Sequence, residues 1–414
     1  MKSVLFITYD SYPGNNANIQ CISTVMEFFS AHGYDVHIAC LKEHFHLPDE
    51  LTSTDGIKVH YLPEILHAIR RTPDQEYGFM PFEIASKVVR YSIRNAQRLS
   101  IHDLAFGFDN VLLRNKVKNL ISKYDIDTVI TVSAPFITHL CYLKIRKFFP
   151  DVKWIIYELD PFTCNHFLPE KQLAKRKILE ENVCKEADQI ISTIGISEEN
   201  DMHAFRQEYE TKTLRIALPN FGKKSDSKPW QFEHDRINLV YTGTFYKQMR
   251  DPSAFLEILT KIPENILRFH VFGYGCEDEF SKYQCLKDVV FMHGPANKQT
   301  CNSVLDSADI LVSFGNDCMN QIPSKIFTYF NTRKPIIHLY SCLEPVTEML
   351  DNYPLHLCVE NNSAFVSEKA QEILRFCQAT MGKLINEEDL SKLRAKYGSE
   401  TVCTKIMEFS AKQK

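Results

Sequence analysis

This 414-residue chain has few glycines, little excess of charge of either sign and no long apolar run. Its 14 glycines are far fewer than the usual share of about 7%, which excludes a collagen-like protein. The 48 Lys and Arg against 52 Asp and Glu leave a net charge of −4, so charge gives no reason to expect a nucleic acid as the main partner. No segment approaches about 18 consecutive apolar residues, so no membrane-spanning helix is predicted.

Closely spaced cysteine pairs are lacking as well. The two nearest of the 13 cysteines, Cys276 and Cys285, are nine positions apart and no CxxC motif occurs, which predicts reduced thiols rather than a disulfide framework. The first apolar stretch, 4–9, is too short for the core of a signal peptide and is soon broken by Asp10 and Pro13. We therefore expect a cytoplasmic protein.

The composition present is that of a soluble globular chain, with 44% hydrophobic and 24% charged residues over a length that favours two domains. Short apolar runs alternate with helical patterns, which is typical of βα units around a parallel sheet. In the first half, strands are predicted near 4–9, 36–40, 58–63, 128–133, 154–159, 189–194 and 215–219. The first helix, which Gly33 ends, is predicted from apolar residues three and four apart: Ile19, Ile22, Val25, Met26 and Phe29.

The same alternation restarts after a polar stretch. Strands are predicted near 237–243, 268–273, 289–294, 310–315, 335–340 and 355–360. The predicted organisation is a Rossmann-like domain over 1–221, a linker over 222–236, a second Rossmann-like domain over 237–386 and a helical stretch over 387–414 that can cross back to the first domain. We thus predict an α/β chain with two doubly wound parallel sheets facing a cleft. The functional site is expected in this cleft, because ligands of such sheets bind at the C-terminal ends of the strands.

The strongest local signal is a helix start after the strand near 310–315. Pro323, Ser324 and Lys325 have the residue types of a first helical turn. Free backbone N–H groups, the positive end of the helix dipole and a lysine converge there, which favours a bound diphosphate. A capped surface helix with a solvated lysine explains the same residues equally well.

Several segments carry a family resemblance, which is most specific in 308–337. The segments 322–330 and 333–337 resemble the donor-binding segment of GT-B-fold glycosyltransferases of family 4, glycosyl transferases group 1, in its bacterial capsule and O-antigen branch. Further similarity lies in 12–17, 32–36, 218–220, 241–245, 250–252, 272–275 and 291–295. The resemblance implies a hexosyltransferase-type enzyme in surface polysaccharide biosynthesis that retains the anomeric configuration. The second domain would hold a nucleotide-sugar donor, and the first domain a saccharide or lipid-linked acceptor.

Matching the family motifs residue by residue assigns a set of donor-binding positions. They are Gly14, Asn15, Gly243, Lys247, Gly273, Tyr274, His293, Asn320, Ser324 and Thr328. Two positions depart from the family pattern, since Asn320 and Thr328 stand where glutamates are usual. Both side chains can bond a hydroxyl but neither carries negative charge, so donor identity, ribose recognition and activity itself stay open.

Catalytic roles follow from the chemistry that the resemblance implies. Charge builds up on the leaving diphosphate, so fixed cations at Lys325 and Arg250 would lower the barrier, and we expect no metal or other cofactor. In the first domain, Asp160 is predicted to orient or deprotonate the acceptor hydroxyl, with Glu158 beside it in the acceptor site. A turn-capping role for Asp160, which precedes Pro161, is equally supported.

A basic segment between Phe82 and Tyr124 carries eight Lys and Arg against three acidic residues. Arg90, Arg94 and Arg98 are four apart and would share one helical face. This face is predicted to contact the acceptor or anionic lipid headgroups at the inner side of a membrane. A solvated helix face is the alternative explanation.

Two other functions compete with sugar transfer. A nucleotide-sugar epimerase of the same fold would use the donor site but needs no acceptor. A non-catalytic partner protein would explain Asn320 and Thr328 in place of the glutamates.

Overall fold

The structure is a computed structural model. The structure describes residues 2–14, 16–41, 50–62, 107–133, 135–160, 162–163, 170–193, 201–222, 228–316, 322–342 and 345–412. The chain divides into two compact units. The first comprises Met1–Thr193, Asp201–Ile216 and Cys403–Lys414, and the second includes Ala217–Val402.

An eight-stranded sheet forms the centre of the first unit, in the order β3-β4-β2-β1-β5-β6-β7-β8. Its strands are β1 (Ser3–Ser11), β2 (Asp35–Leu41), β3 (Glu50–Thr52), β4 (Lys58–Tyr61), β5 (Thr128–Ser133), β6 (Lys153–Glu158), β7 (Gln189–Ser192) and β8 (Thr213–Arg215). The helices are α1 (Ala17–Ala31), α2 (Gly107–Tyr124), α3 (Ile137–Ile145) and α4 (Glu170–Glu186), with 3-10 turns at Arg146–Phe148 and Asp201–Lys212. All neighbouring strands run parallel except β3, which is antiparallel to β4.

The first helix, α1, has the buried apolar face and the glycine end that the sequence predicts. The five apolar residues predicted to share its inner face are all at most 1% exposed. Asn16 caps the helix, because its side chain accepts a hydrogen bond from the backbone N–H of Ile19 at 2.8 Å. Gly33 follows the helix with φ +81°, a conformation that glycine adopts without strain. The predicted strand, loop, helix and strand are therefore confirmed.

The second unit has a six-stranded, wholly parallel sheet in the order β11-β10-β9-β12-β13-β14. Its strands are β9 (Ile237–Thr244), β10 (Leu267–Tyr274), β11 (Val290–Met292), β12 (Ile310–Phe314), β13 (Ile336–Tyr340) and β14 (His356–Glu360). The helices are α5 (Ser253–Leu259), α6 (Glu277–Lys282), α7 (Lys298–Ser307), α8 (Lys325–Thr332), α9 (Pro345–Leu350), α10 (Val366–Thr380) and α11 (Glu387–Tyr397), with a 3-10 turn at Gln284–Leu286.

This strand order is the 3-2-1-4-5-6 order of a Rossmann sheet, with its reversal of direction between β9 and β12. Ligands of such sheets bind beyond the C-terminal ends of the strands at that reversal. The prediction of an α/β chain with two Rossmann-like parallel sheets is confirmed.

Two helices occupy the C-terminal stretch for which the sequence predicted one. α11 ends at Tyr397, and α12 covers Ser399–Ala411. Gly398 separates them with ψ 146°, and a Cβ atom there would lie 2.4 Å from the carbonyl oxygen of Arg394. The end of α12 belongs to the first unit, where Lys153 Nζ donates to the carbonyl oxygen of Ser410 at 2.8 Å.

Candidate active site

The sheet reversal of the second unit places Lys325 at the start of α8. The backbone N–H of Ile326 donates to the carbonyl oxygen of Pro323 at 3.2 Å, which forms the first turn. Ser324 precedes the helix without a side-chain capping bond. The predicted helix start is therefore confirmed, and its first N–H groups lie beside the lysine.

Lys325 carries a buried ammonium group. Its Nζ atom donates a hydrogen bond to the carbonyl oxygen of Thr242 in β9 and lies 5.6 Å from the centre of the Tyr241 ring. Burial, and next the positive charge of Arg250, lower the pKa of Lys325 to about 8. Both causes disfavour the charged form, so an anion at this position would stabilise it.

Arg250 is the second cation at this end of β9. Its Nε atom donates to Asn316 Oδ1 at 2.7 Å, and its backbone N–H donates to the carbonyl oxygen of Tyr246 at 2.7 Å. Within the described parts of the chain, neither Arg250 nor Lys325 makes an ion pair with a carboxylate. Two uncompensated cations beside a helix N-terminus form a candidate anion site.

Glycines create the space for this arrangement. A Cβ atom on Gly243, which has φ +152°, would lie only 2.4 Å from Lys325 Nζ. A Cβ atom on Gly273 in β10 would lie 1.6 Å from the carbonyl oxygen of Gly243. Both positions therefore require glycine for close packing of the two strand ends, which positions the lysine.

The remaining predicted donor residues lie around these strand ends with different surroundings. Lys247 pairs with Glu279 at 2.6 Å, and this pair, with Lys282, lowers the pKa of Glu279 to about 2. The charge of Lys247 is therefore compensated within the protein, unlike that of Lys325. Thr328 is half-buried in the second turn of α8.

Two predicted residues lie at the ends of β10 and β11. Tyr274 is 53% exposed at the last position of β10. His293 is also exposed, directly after β11, and its ring stacks on Phe272 with a centroid distance of 4.3 Å. The predictions for Asn15, Asn320, Arg90, Arg94 and Arg98 fall outside the described residues.

In the first unit, the predicted acceptor residues lie at the C-terminal strand ends. Glu158 ends β6 and is only 2% exposed, and Asp160, half-buried, follows it. Gly14, which was predicted to bind the donor, also lies in this unit. It follows the cis peptide bond between Tyr12 and Pro13, and a Cβ atom on it would lie 2.4 Å from the carbonyl oxygen of Ser11. Gly14 therefore allows a tight backbone turn after β1.

Asp10 is a candidate that the sequence analysis missed. Burial, helped by the charge of Asp160, raises the pKa of its carboxyl group to about 6 against the opposing effect of hydrogen bonds from Asn16 and Asn18. Its Oδ2 atom is buried without a hydrogen-bond partner among the residues that the structure describes. The proximity of Asp10 to Asp160 depends on the order of β1, β5 and β6 in the sheet. The sequence shows only that each carboxylate lies at or just after the end of a buried apolar run.

No helix among the described residues is long and apolar enough to cross a membrane. The same residues contain no cluster of three or more His, Cys, Asp or Glu side chains suited to a metal ion.

Comparison with solved structures identifies the fold, whereas neither a family model nor a curated protein sequence matches the chain. Sucrose-phosphate synthase from Thermosynechococcus elongatus matches with a TM-score of 0.69 and 12% identity, over 99% of this chain and 98% of the other. The catalytic domain of starch synthase IV from Arabidopsis thaliana, bound to ADP and acarbose, matches with a TM-score of 0.62 and 10% identity, over 99% and 98%.

An enzyme of another class is also similar. A Listeria monocytogenes protein described as a UDP-N-acetylglucosamine 2-epimerase matches with a TM-score of 0.53 and 12% identity, over 99% of this chain and 96% of the other. The structural neighbours include GT-B glycosyltransferases, and the two parallel sheets described above have the same architecture. This chain therefore has the GT-B fold of two Rossmann-like domains.

Proposed function

We propose that this protein is a glycosyltransferase that moves a sugar from a nucleotide-sugar donor to a hydroxyl group of a saccharide or lipid-linked acceptor. The observation that carries the proposal is the pair of cations Lys325 and Arg250 at the sheet reversal of a GT-B fold. A surface polysaccharide is the proposed product, on the resemblance of the Pro323-Ser324-Lys325 segment to the bacterial capsule and O-antigen branch.

The chemistry explains why uncompensated cations matter. The bond between the anomeric carbon and the diphosphate oxygen breaks, its electron pair passes to the diphosphate, and the acceptor oxygen forms the new bond. Lys325, Arg250 and the N–H groups at the start of α8 would stabilise the negative charge that develops on the phosphate. We propose a retaining, metal-independent reaction in which the leaving phosphate takes up the acceptor's proton.

The donor would extend along the strand ends of the second unit. The similar starch synthase structure holds ADP, which supports a nucleoside diphosphate here. Ser324 would bind phosphate through its backbone, and Thr328 with Asn320 would bond sugar or ribose hydroxyls without the charge of a glutamate. Tyr274 and His293 lie where the nucleoside would continue.

The acceptor would bind the first unit through its carboxylates. Asp160 and Asp10 lie at the ends of β6 and β1, and both can accept a hydrogen bond from a hydroxyl. Glu158 is buried, so we propose that it supports the acceptor site from beneath the residues that contact the acceptor. Contact of Arg90, Arg94 and Arg98 with the acceptor or with an anionic membrane surface remains part of the proposal.

Product analysis tests the proposal. Purified protein is incubated with UDP-, GDP-, ADP- and CMP-linked sugars, with and without a lipid and oligosaccharide extract, and products are identified by mass spectrometry. We expect one donor to release its nucleotide, faster with the extract, and a product heavier by one sugar. The variant Lys325→Ala should lose this activity. The control variant Lys261→Ala, which changes an exposed surface lysine, should keep it. Wild-type protein that turns over none of these donors would contradict sugar transfer.

A nucleotide-sugar epimerase is the second candidate, favoured by the similar epimerase-like structure. It predicts an isomerised sugar of unchanged mass, together with turnover that does not depend on the extract. Chromatographic separation of the sugars after acid hydrolysis distinguishes the two candidates.

A further inference from the structure

Asn238 has a fixed orientation near the start of β9. Its Nδ2 atom donates to the carbonyl oxygens of Glu233 and Arg236 at 3.0 and 3.2 Å, and to Asp309 Oδ2 at 3.2 Å. Because all three partners are acceptors, the surroundings decide which end of the amide is nitrogen. The Oδ1 atom of Asn238 therefore faces His270 as a hydrogen-bond acceptor.

That orientation determines where two histidines carry their protons. His270 Nε2 lies 3.1 Å from Asn238 Oδ1 and must donate to it. Burial, then the charges of His293 and Arg268, lower the pKa of His270 to about 4, so its ring is neutral near pH 7 and its Nδ1 atom is an acceptor.

The second histidine continues the chain of hydrogen bonds. His293 Nε2 lies 3.0 Å from His270 Nδ1, so it is the donor of this bond. Burial also lowers the pKa of His293, which favours its neutral form. A neutral ring protonated at Nε2 has a free electron pair at Nδ1, and the exposed His293 therefore offers an acceptor to a ligand.

Aromatic rings surround this acceptor. The ring of His293 lies nearly parallel to that of Phe272, with an interplanar angle of 6°. Trp230, which is 37% exposed, packs edge-on to Phe272 with a centroid distance of 5.3 Å. Phe272 is buried, so the exposed rings are those of His293 and Trp230. Exposed rings beside a fixed hydrogen-bond acceptor suit a planar heterocycle that stacks and donates an N–H group.

The position of His293 matches the reach of a nucleotide. His293 follows β11, whereas the anion site of Lys325 and Arg250 lies at the end of β9, and β10 is the one strand between them. Since neighbouring strands are about 4.8 Å apart, the two places are about 10 Å apart across the sheet. A ribose and its phosphates bridge such a distance between a base and a bound diphosphate.

We propose that His293 determines nucleobase specificity by accepting, at Nδ1, a hydrogen bond from a ring N–H group of the base. The ligand class is a nucleoside diphosphate of uracil or guanine, because N3 of uracil and N1 of guanine carry a hydrogen, whereas the matching ring nitrogens of cytosine and adenine are acceptors. His270 and Asn238 are positioning residues, because they hold His293 in the required tautomer. This inference rests on the proposed nucleotide-sugar site, which it extends to the base.

Calorimetric binding of UDP, GDP, ADP, CDP and inorganic pyrophosphate tests the inference. The variant His293→Phe keeps a ring to stack on Phe272 but removes the acceptor. We expect it to bind the best nucleoside diphosphate about tenfold more weakly while its affinity for pyrophosphate stays unchanged. The control variant His234→Phe, which changes an exposed surface histidine, should leave both affinities unchanged.

The outcomes separate this inference from the function on which it rests. Unchanged nucleotide affinity in His293→Phe would overturn the role of His293 and leave the anion site standing. Wild-type protein that binds neither pyrophosphate nor any of the four nucleotides would contradict the proposed function as well.

The tautomer itself has a direct readout without any ligand. Long-range ¹H–¹⁵N NMR spectra of protein labelled at histidine distinguish protonated from unprotonated ring nitrogens. At pH 7.5 we expect the signal assigned to His293, through its loss in His293→Phe, to show an unprotonated Nδ1. A protonated Nδ1 would overturn the inference, since the ring would then offer a donor.

Discussion

A Cβ atom on Gly243 would lie 2.4 Å from the Nζ atom of Lys325. The lysine ammonium therefore occupies space that any other residue at position 243 would take, while it donates to the carbonyl oxygen of Thr242. Gly243, near the end of β9, and Lys325, at the start of α8, thus form one arrangement. Their spacing in the sequence is 82 residues, so only the sheet reversal brings them together.

Substitution of Gly243 by alanine should remove the anion site. The new methyl group would displace Lys325 Nζ, and we expect affinity for pyrophosphate to fall at least about tenfold, the loss of one charge-assisted hydrogen bond. Gly382→Ala is the matched control, because Gly382 also has positive φ, +75°, but its Cβ would meet nothing within 4 Å. Calorimetry and thermal unfolding of both variants separate lost binding from backbone strain, and equal pyrophosphate affinities would contradict the arrangement.

Binding of a diphosphate should weaken in alkaline solution. The pKa of Lys325 is lowered to about 8, so the free protein loses this positive charge as pH rises through that value. We expect pyrophosphate affinity to fall between pH 7 and pH 9 in the wild type. In Lys325→Arg the charge persists, and the affinity should stay nearly constant over the same range. Parallel wild-type and variant profiles would exclude Lys325 as the titrating group.

Catalysis should fail in acid through Asp10. Its pKa of about 6 means that the carboxylate, which we propose orients the acceptor's hydroxyl group, is lost as pH falls through this value. We expect Asp10→Asn, which keeps an acceptor oxygen but removes the negative charge, to lower kcat by about tenfold at pH 7.5 and to abolish the acid limb of the pH profile. The exposed-site variant Asp151→Asn should keep both rate and profile. An acid limb that survives in Asp10→Asn would assign the titration to another group.

Acid should also destabilise the edge of the first sheet. His37 Nδ1 lies 2.9 Å from His60 Nε2, and these buried rings contact Asp35 and Glu50 at 3.3 and 3.2 Å. Burial lowers the pKa of both rings, that of His60 to about 4, despite the carboxylates.

The sign of this pH effect follows from proton uptake. Between the unfolded value near 6.5 and the folded value near 4, the unfolded chain binds more protons, so the free energy of unfolding falls as pH falls. His60 alone accounts for about 3 kcal/mol by pH 4. Denaturant unfolding from pH 7 to pH 4 should show a shallower decline in His60→Gln than in the exposed-site variant His234→Gln. Identical slopes would show that His60 is not the source of the pH dependence of stability.

Most strands were predictable because they are short apolar runs between polar segments, but the strand predicted near 215–219 lies at Thr213–Arg215. β9 was expected at 237–243 and lies at Ile237–Thr244, since both sheets bury their strands on two faces. β3 was missed because three residues, Glu50–Thr52, cannot show a period. Gly398 also divides a helical stretch that apolar spacing alone presents as continuous.

The site was less predictable, because its geometry depends on contacts distant in sequence. Lys325 could be found from the residue types of a helix start. The pairing of Lys247 with Glu279, 32 positions away, could not, and it separates a compensated lysine from an uncompensated one. Asp10 and His270 were equally hidden, because burial and partners from other strands set their protonation.

Thermal unfolding with nucleotides tests the central claim, a nucleotide-sugar site at Lys325, most directly. Wild type, Lys325→Ala and the surface control Lys261→Ala are each measured with UDP, GDP, ADP, CMP and their common sugars, because a ligand of the native state raises its unfolding temperature. We expect one nucleotide and its sugars to stabilise the wild type and Lys261→Ala but not Lys325→Ala. No stabilisation of the wild type by any nucleotide would contradict the claim and favour a non-catalytic partner protein.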